Sequence, residues 1–333
     1  MNIGRKRPAF TLIELMIVIV IIAILAGLTT VGTRIAIRKS KEATVTLALE
    51  QLSMAIEKYK SDIGEYPPDF TDEAAVTRHV RKRWPRCEYA DTFMEKADST
   101  GKFDWHVDMC GPVSALVFWL GGIPDLNGKP GGFFLSPTDP LGINPGTSTQ
   151  REEPRFNFPD GTVVNGSHYA FPVLGKDGEH FTTTNTTPGF QPGKGDGKPV
   201  VYFCASAPAE NDLGSGDEIE NGAYQMEVSS RIKYCIFFDK GEFGVAMPYA
   251  KKVETVGGAD YWTWYEPDRF QLIHPGQDGL FSDPGRRPVG AYPYPCTAFG
   301  KTESSDNTLT DADDDNIVSF AEGGTLESLY PKQ

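Results

Sequence analysis

Side chains that do chemistry are scarce here. The 333 residues include five histidines and five cysteines. No Cys-x-x-Cys pair is present and no serine sits in a nucleophile elbow, so zinc, thiol and serine-hydrolase chemistry all lack their usual patterns. Cations are also short, with 32 Lys and Arg against 45 Asp and Glu and a net charge of −13. That balance disfavours nucleic acid, because phosphate binding relies on Lys and Arg. It is compatible with bound cations, and a merely soluble acidic surface explains most of it. Two local absences matter more. Proline is missing from Phe10 to Tyr66, and charge is missing from Leu15 to Thr33.

Phe10 to Gly27, FTLIELMIVIVIIAILAG, follows the basic leader MNIGRKRPA. The run approaches the ~20 residues that span a bilayer. Arg5, Lys6 and Arg7 ahead of it keep the N-terminus cytoplasmic by the positive-inside rule. No small-residue cleavage site follows a short apolar core, so it is not an ordinary secretory signal. The remainder is expected outside the inner membrane, where disulfides are permitted. Cys87, Cys110, Cys204, Cys235 and Cys296 allow at most two pairs, whose connectivity spacing does not give. Glu14 is the one charge in the run, and a carboxylate in lipid is costly enough to mark a specific partner. With a cut between Ala9 and Phe10, Glu14 lies about one helical turn from a free amine. A neighbouring copy of that amine could neutralise it.

Helical periodicity continues beyond the apolar run. Val45, Leu49, Leu52, Ala55, Ile56 and Tyr59 recur at spacings of three and four, with Lys41, Glu42, Glu50, Lys58 and Lys60 between them. This pattern predicts an amphipathic extension with one apolar stripe. A helix from about Phe10 to Asp62 would be near 80 Å long at ~1.5 Å per residue. Gly64, then Pro67 and Pro68, supply a C-cap and a stop.

Phe10, Thr11, Leu12, Ile13 and Glu14 behind a basic leader resemble, residue by residue, the prepilin signature of type IV pilins and type II secretion pseudopilins. Ala9 stands where that family most often has glycine, and it is similarly small. The exit YKSDIGEYPP, Tyr59 to Pro68, is similar to that of major pseudopilins, so the resemblance covers Arg5 to Pro68. It implies that a prepilin peptidase removes Met1 to Ala9 and methylates the Phe10 amine. It also implies that Glu14 guides filament assembly, and that an inner-membrane platform, a cytoplasmic ATPase and other pseudopilins are partners. Glu14 separates the chain from the tip pseudopilin type, which lacks that acid.

The expected fold class is α+β: a long N-terminal helix, with a transmembrane half and an amphipathic half, packed on an antiparallel β-sheet, pilin-like, with a large loop-rich insertion. Residues 1–9 form the leader, 10–33 the transmembrane or filament-core helix, and 34–66 the amphipathic helix. Residues 67–199 are the insertion, and 200–333 the sheet and an acidic C-terminal loop. Short helices are predicted over Glu73 to Val80 and after Pro112, where Val113, Leu116, Val117 and Leu120 share a face and Gly121 ends the element. Strand signals fall at Val200 to Cys204, Ile232 to Phe238, Phe243 to Met247, Tyr261 to Tyr265 and Phe270 to Ile273, and they suit a meander laid on the helix.

The C-terminal region carries a second signal. The stretch Phe270 to Gly279 reads as a strand followed by an Asp-Gly turn, and Asp311-Ala312-Asp313-Asp314-Asp315-Asn316 follows later. The order is similar to the calcium loop of major pseudopilins, and the resemblance implies calcium held by Asp278 with Asp313, Asp314 and Asp315. A local reading competes: Asp311, Asp313, Asp315 and Glu322 occupy positions 1, 3, 5 and 12 of an EF-hand-type loop, with Asn316 in place of the usual glycine. No convincing helical pattern precedes Asp311, which disfavours a true EF-hand. A solvated acidic turn is the third alternative.

Other constellations are weaker. His106 and Cys110 with Cys87 lack the paired spacing of a zinc site. GKGDGK, Gly193 to Lys198, lacks the four-residue gap and following Ser or Thr of a phosphate loop. Trp262 and Trp264 lie on one face of a strand, a candidate carbohydrate platform for which core packing is the simpler account. The function expected is therefore structural rather than enzymatic: a pseudopilin of a periplasmic secretion filament. The alternatives are a type IV or minor pilin for adhesion, and a membrane-anchored binding module or enzyme.

Overall fold

The computed structural model describes residues 12–70, 73–91, 93, 112–123, 129–142, 150–165, 171–174, 181–184, 188–192, 199–205, 235–236, 245–246, 248–256, 259–266, 268–281, 315–321 and 324–329. Within 28–32, 34, 164–189, 235–245 and 250–264 only the backbone is described. The chain divides into two compact units, Met1–Ala43 and Thr44–Gln333.

Helix α1 (Leu12–Ile63) contributes to both units. In the first, every described large apolar side chain from Leu12 to Leu25 is exposed. In the second, Val45, Leu49, Leu52, Ile56 and Tyr59 are all buried, with Ala55 packed beside them, so the periodic stripe is the buried face. The helix stops where a left-handed residue is needed. Gly64 adopts φ +89° and its N–H donates to the Lys60 carbonyl at 2.7 Å, a geometry that glycine reaches without a Cβ penalty.

Helix α2 (Glu73–Arg83) extends three residues beyond the predicted element. The segment after Pro112 departs from expectation. It is helical only at Ala115 and Leu116, then becomes a π-helical turn over Val117–Gly121. Val113 to Ile123 are buried throughout rather than along one face. The reason is aromatic packing. Trp119 stacks on Phe70 at 5.4 Å, and Phe118 meets both Trp119 and Phe133 edge-on. A segment surrounded on all sides has no polar face to show.

The described strands are all antiparallel pairs. β1 (Val163–Asn165) pairs β4 (Pro188–Phe190), and β2 (Phe171–Leu174) pairs β3 (Phe181–Thr184). β6 (Cys235–Ile236) pairs β7 (Val245–Ala246), and β8 (Ala250–Val256) pairs β9 (Ala259–Trp264). The central sheet has three strands in the order β11-β10-β5, built from β5 (Val201–Cys204), β10 (Phe270–His274) and β11 (Ile317–Val318). The single meander expected is thus a small sheet plus separate hairpins. The five predicted strand segments all contain strand, whereas β8, β11 and the hairpins within 163–190 went unforeseen.

Alternation places the core. Tyr202, Phe270, Leu272 and Ile317 turn to one side of the central sheet and join the α1 stripe, together with Val117 to Leu120, Phe133 and Phe158. Val201, Phe203, Ile273 and Val318 turn to the other side, against Tyr249, Tyr265, Phe281 and Leu326 of α3 (Leu326–Leu329). The period of two thus buries both faces, each under a different element. Buried residues of the 67–199 stretch, among them Phe70, Val76, Val80, Phe133 and Phe158, join the α1 stripe in one core, and Val113 joins the other.

Candidate functional site

The first candidate is the N-terminal segment. Glu14 lies in the first turn of α1 and is exposed; a carboxylate there also complements the positive end of the helix dipole. Ala9 and Phe10 lie outside the described residues. Among the described residues no helix is long and apolar enough to cross a membrane.

The second candidate is the turn after β10. The structure brings two of the four predicted calcium residues together, Asp278 and Asp315, and Asp313 and Asp314 lie outside the described residues. The Asp315 Oδ2 accepts from the Gln277 N–H at 2.7 Å and from the Asp278 N–H at 3.1 Å. Asp278 closes the turn itself, its Oδ1 accepting from the Leu280 N–H at 2.7 Å. Gly276 is required by proximity as well as by φ +38°: a Cβ there would stand 2.1 Å from Asp315 Oδ1 and 2.3 Å from its carbonyl oxygen.

Register holds this arrangement in place. His274 pairs with Ile317, so the turn leaves β10 just where the acidic segment enters β11. Asn316 is fully buried and donates to Tyr249 OH and the Phe281 carbonyl. Asp315 Oδ1 is buried with no hydrogen-bond partner. A buried anionic oxygen without a partner is costly, and a hard cation is the kind of group that would satisfy it. That one oxygen is compatible with a hard cation such as calcium, although among the described residues no three His, Cys, Asp or Glu converge.

A third cluster escaped the sequence reading. His79 of α2 is buried, with Nδ1 2.6 Å from Glu65 Oε1 and Nε2 2.7 Å from Tyr59 OH. Arg83 donates from Nη1 to the same hydroxyl at 3.0 Å and from Nη2 to Glu152 at 2.5 Å. Burial pulls His79 below its ordinary value of 6.5, against the opposing pull of Glu65. The His79 hydrogen bond in turn holds the Glu65 carboxyl low, and burial pushes Tyr59 up to about 12. One signal was available in the sequence: a histidine inside the cationic run Arg78 to Arg83 is placed where its own charge would be repelled.

The weaker constellations gain nothing. Cys87 and Cys204 are free thiols, each pushed up by burial, Cys204 to about 12. Cys110, Cys296 and the side chain of Cys235 lie outside the described residues, as do His106 and Gly193 to Lys198. So do the side chains of Trp262 and Trp264, whose backbone pairs with Val253 and Ala250 in the β8–β9 hairpin.

Residues 4–30 match the prokaryotic N-terminal methylation motif. No curated protein and no solved structure matches the chain. The motif implies processing by a prepilin peptidase and assembly with other pilin-like subunits, and it points to a structural role rather than catalysis. Together with the helix and antiparallel sheet, it supports a type IV pilin-like protein.

Proposed function

We propose that the chain is a pseudopilin, a structural subunit of a periplasmic type II secretion filament. The observation that carries this is the pairing of a methylation motif with a helix whose first half exposes apolar side chains on every side. Such a surface is suited first to lipid, as a single-pass anchor with a cytoplasmic N-terminus, and then to the helices of neighbouring subunits. Glu14, the one charge in that surface, would meet the Phe10 amine of an adjacent copy once the leader is removed after Ala9. Pairing would offset the cost of a carboxylate in an apolar setting and so select one register.

The secretion reading rather than an adhesive pilin rests on the C-terminal turn. Calcium bound there, by Asp278, Asp315 and the neighbouring Asp313 and Asp314, would neutralise the acidic segment and fasten it to β10. When bound, the ion would supply electrostatic cross-linking and nothing more. The chain's own residues position it: Gly276 admits Asp315, and the His274 to Ile317 register aligns the two strands.

Intact mass and N-terminal sequence of the membrane-extracted chain, with and without the peptidase, test the assembly reading. A mature chain beginning at methylated Phe10 is expected. A chain that keeps Met1 and the leader would overturn it and leave a membrane-anchored module. Thermal stability with calcium and with chelator then tests the secretion reading. Indifference to calcium would favour the pilin alternative.

A further inference from the structure

The cluster around His79 has a unique proton arrangement. Tyr59 has one proton, and its oxygen already receives the Arg83 Nη1–H. The hydroxyl therefore donates to His79 Nε2, which must be bare, and Nδ1 carries the hydrogen that Glu65 accepts. Only the neutral imidazole satisfies every member. A protonated ring would aim a second N–H at an oxygen already receiving Arg83, and would deprive the Tyr59 proton of its acceptor.

The charges facing the ring come from each element packed on it. Lys82 and Arg83, on its own helix, oppose a positive imidazole, and Glu65 on the exit turn favours one. From α1 comes Tyr59, uncharged and stacked on the ring at 5.6 Å between centroids. From the π-helical turn comes Trp119, edge-on at 4.8 Å. Burial adds to the cost of the charged form.

The same residues tie distant segments together. Arg83 bonds the Trp119 carbonyl at 3.4 Å and pairs with Glu152, and Trp119 Nε1 donates to the Pro68 carbonyl at 2.8 Å. We propose that the chain Glu65–His79–Tyr59–Arg83–Glu152 is an acid-releasable latch that fastens α2 and the Trp119 segment to the end of α1. Neutral His79 closes it. One proton taken from solvent onto Nε2 opens it, and no bond other than hydrogen bonds is broken. The latch stands independently of the filament reading, because all its members lie in the Thr44–Gln333 unit.

The test is hydrogen exchange on the full chain in detergent, read as protection factors for 73–83 and 112–123 between pH 8 and pH 5. The wild type should lose protection at least tenfold on acidification, with a midpoint below 6.5, while the α1 stripe around Leu52 stays protected. His79→Gln, which keeps one donor and one acceptor and does not titrate, should remove the transition. Should that variant be loose at every pH, Glu65→Gln gives the second reading. It removes the group that favours the imidazolium and should move the midpoint lower. Constant wild-type protection from pH 8 to pH 5 would overturn the latch. So would a transition left unchanged in either variant.

Discussion

The two halves of α1 share a backbone geometry and use it in opposite ways. From Leu12 to Leu25 the large apolar side chains are 46–77% exposed, whereas from Val45 to Tyr59 five are 5% exposed or less. Period explains the difference. The first half is apolar at nearly every position, so no face can be preferred. The second interleaves Lys and Glu and therefore has a single stripe to bury. One helix thus carries two instructions: the described apolar side chains of the first half stay exposed, and the stripe of the second is buried in a core shared with a sheet and aromatic side chains.

The sharpest way to break this comparison is at Glu14. Glu14→Ala is expected to lower filament yield at least tenfold in a cross-linking and shearing assay, with leader removal still visible by mass. Unchanged yield would leave the exposed half as a plain anchor. Next come paired truncations. Leu52→Ala should cost about 2–5 kcal/mol, the range for a buried leucine, whereas Ile19→Ala should change the stability of the globular part by less than about 0.5 kcal/mol. Denaturant titration in detergent measures both, and equal costs would erase the distinction.

The calcium turn gives a smaller expected effect. Asp315→Ala leaves the Gln277 and Asp278 N–H groups without their acceptor and should cost about 1–3 kcal/mol in chelator. Any rise in Tm on adding calcium should disappear with it.

Acid should act on the Thr44–Gln333 unit through His79. His79 is depressed in the folded state, so the unfolded chain takes up its proton first, near 6.5. Stability should therefore be level above that pH and fall as the pH drops below it, until the folded form also protonates. Glu65, depressed as well, extends the loss to lower pH. A urea midpoint lower at pH 5.5 than at pH 8 is the expected result. Tyr66→Phe should have a modest effect: it loses the hydroxyl's bonds at 3.0 and 3.2 Å to Glu57 and its interaction with Arg269, and keeps the ring against Phe270. About 0.5–1.5 kcal/mol is the ordinary worth of such a bond.

Much of the local architecture was legible residue by residue. The stripe Val45 to Tyr59, the stop at Gly64, helix α2 and the strand cores at Val201–Cys204 and Phe270–His274 all follow from spacing and punctuation. Two kinds of feature were not. The segment Val113 to Ile123 has a helical spacing but is buried on every side, because Phe70, Trp84 and Phe133 converge on its Phe118 and Trp119 from separate parts of the chain. The turn at Gly276 and the carboxylate of Asp315 are far apart in sequence, and only the β10–β11 register makes them neighbours.

What the sequence determined by itself is the N-terminal half: an apolar surface with one carboxylate, a motif for processing, and a helix that must end near Gly64. Those properties depend on contiguous residues and on local periods of 3.6. Only tertiary structure decided that His79 would sit neutral between Glu65 and Tyr59, that both faces of a three-stranded sheet would be covered, and that Asp315 would cap the Gln277 turn. Each depends on groups brought together from distant positions, where desolvation and hydrogen-bond partners set the chemistry and no local pattern records them.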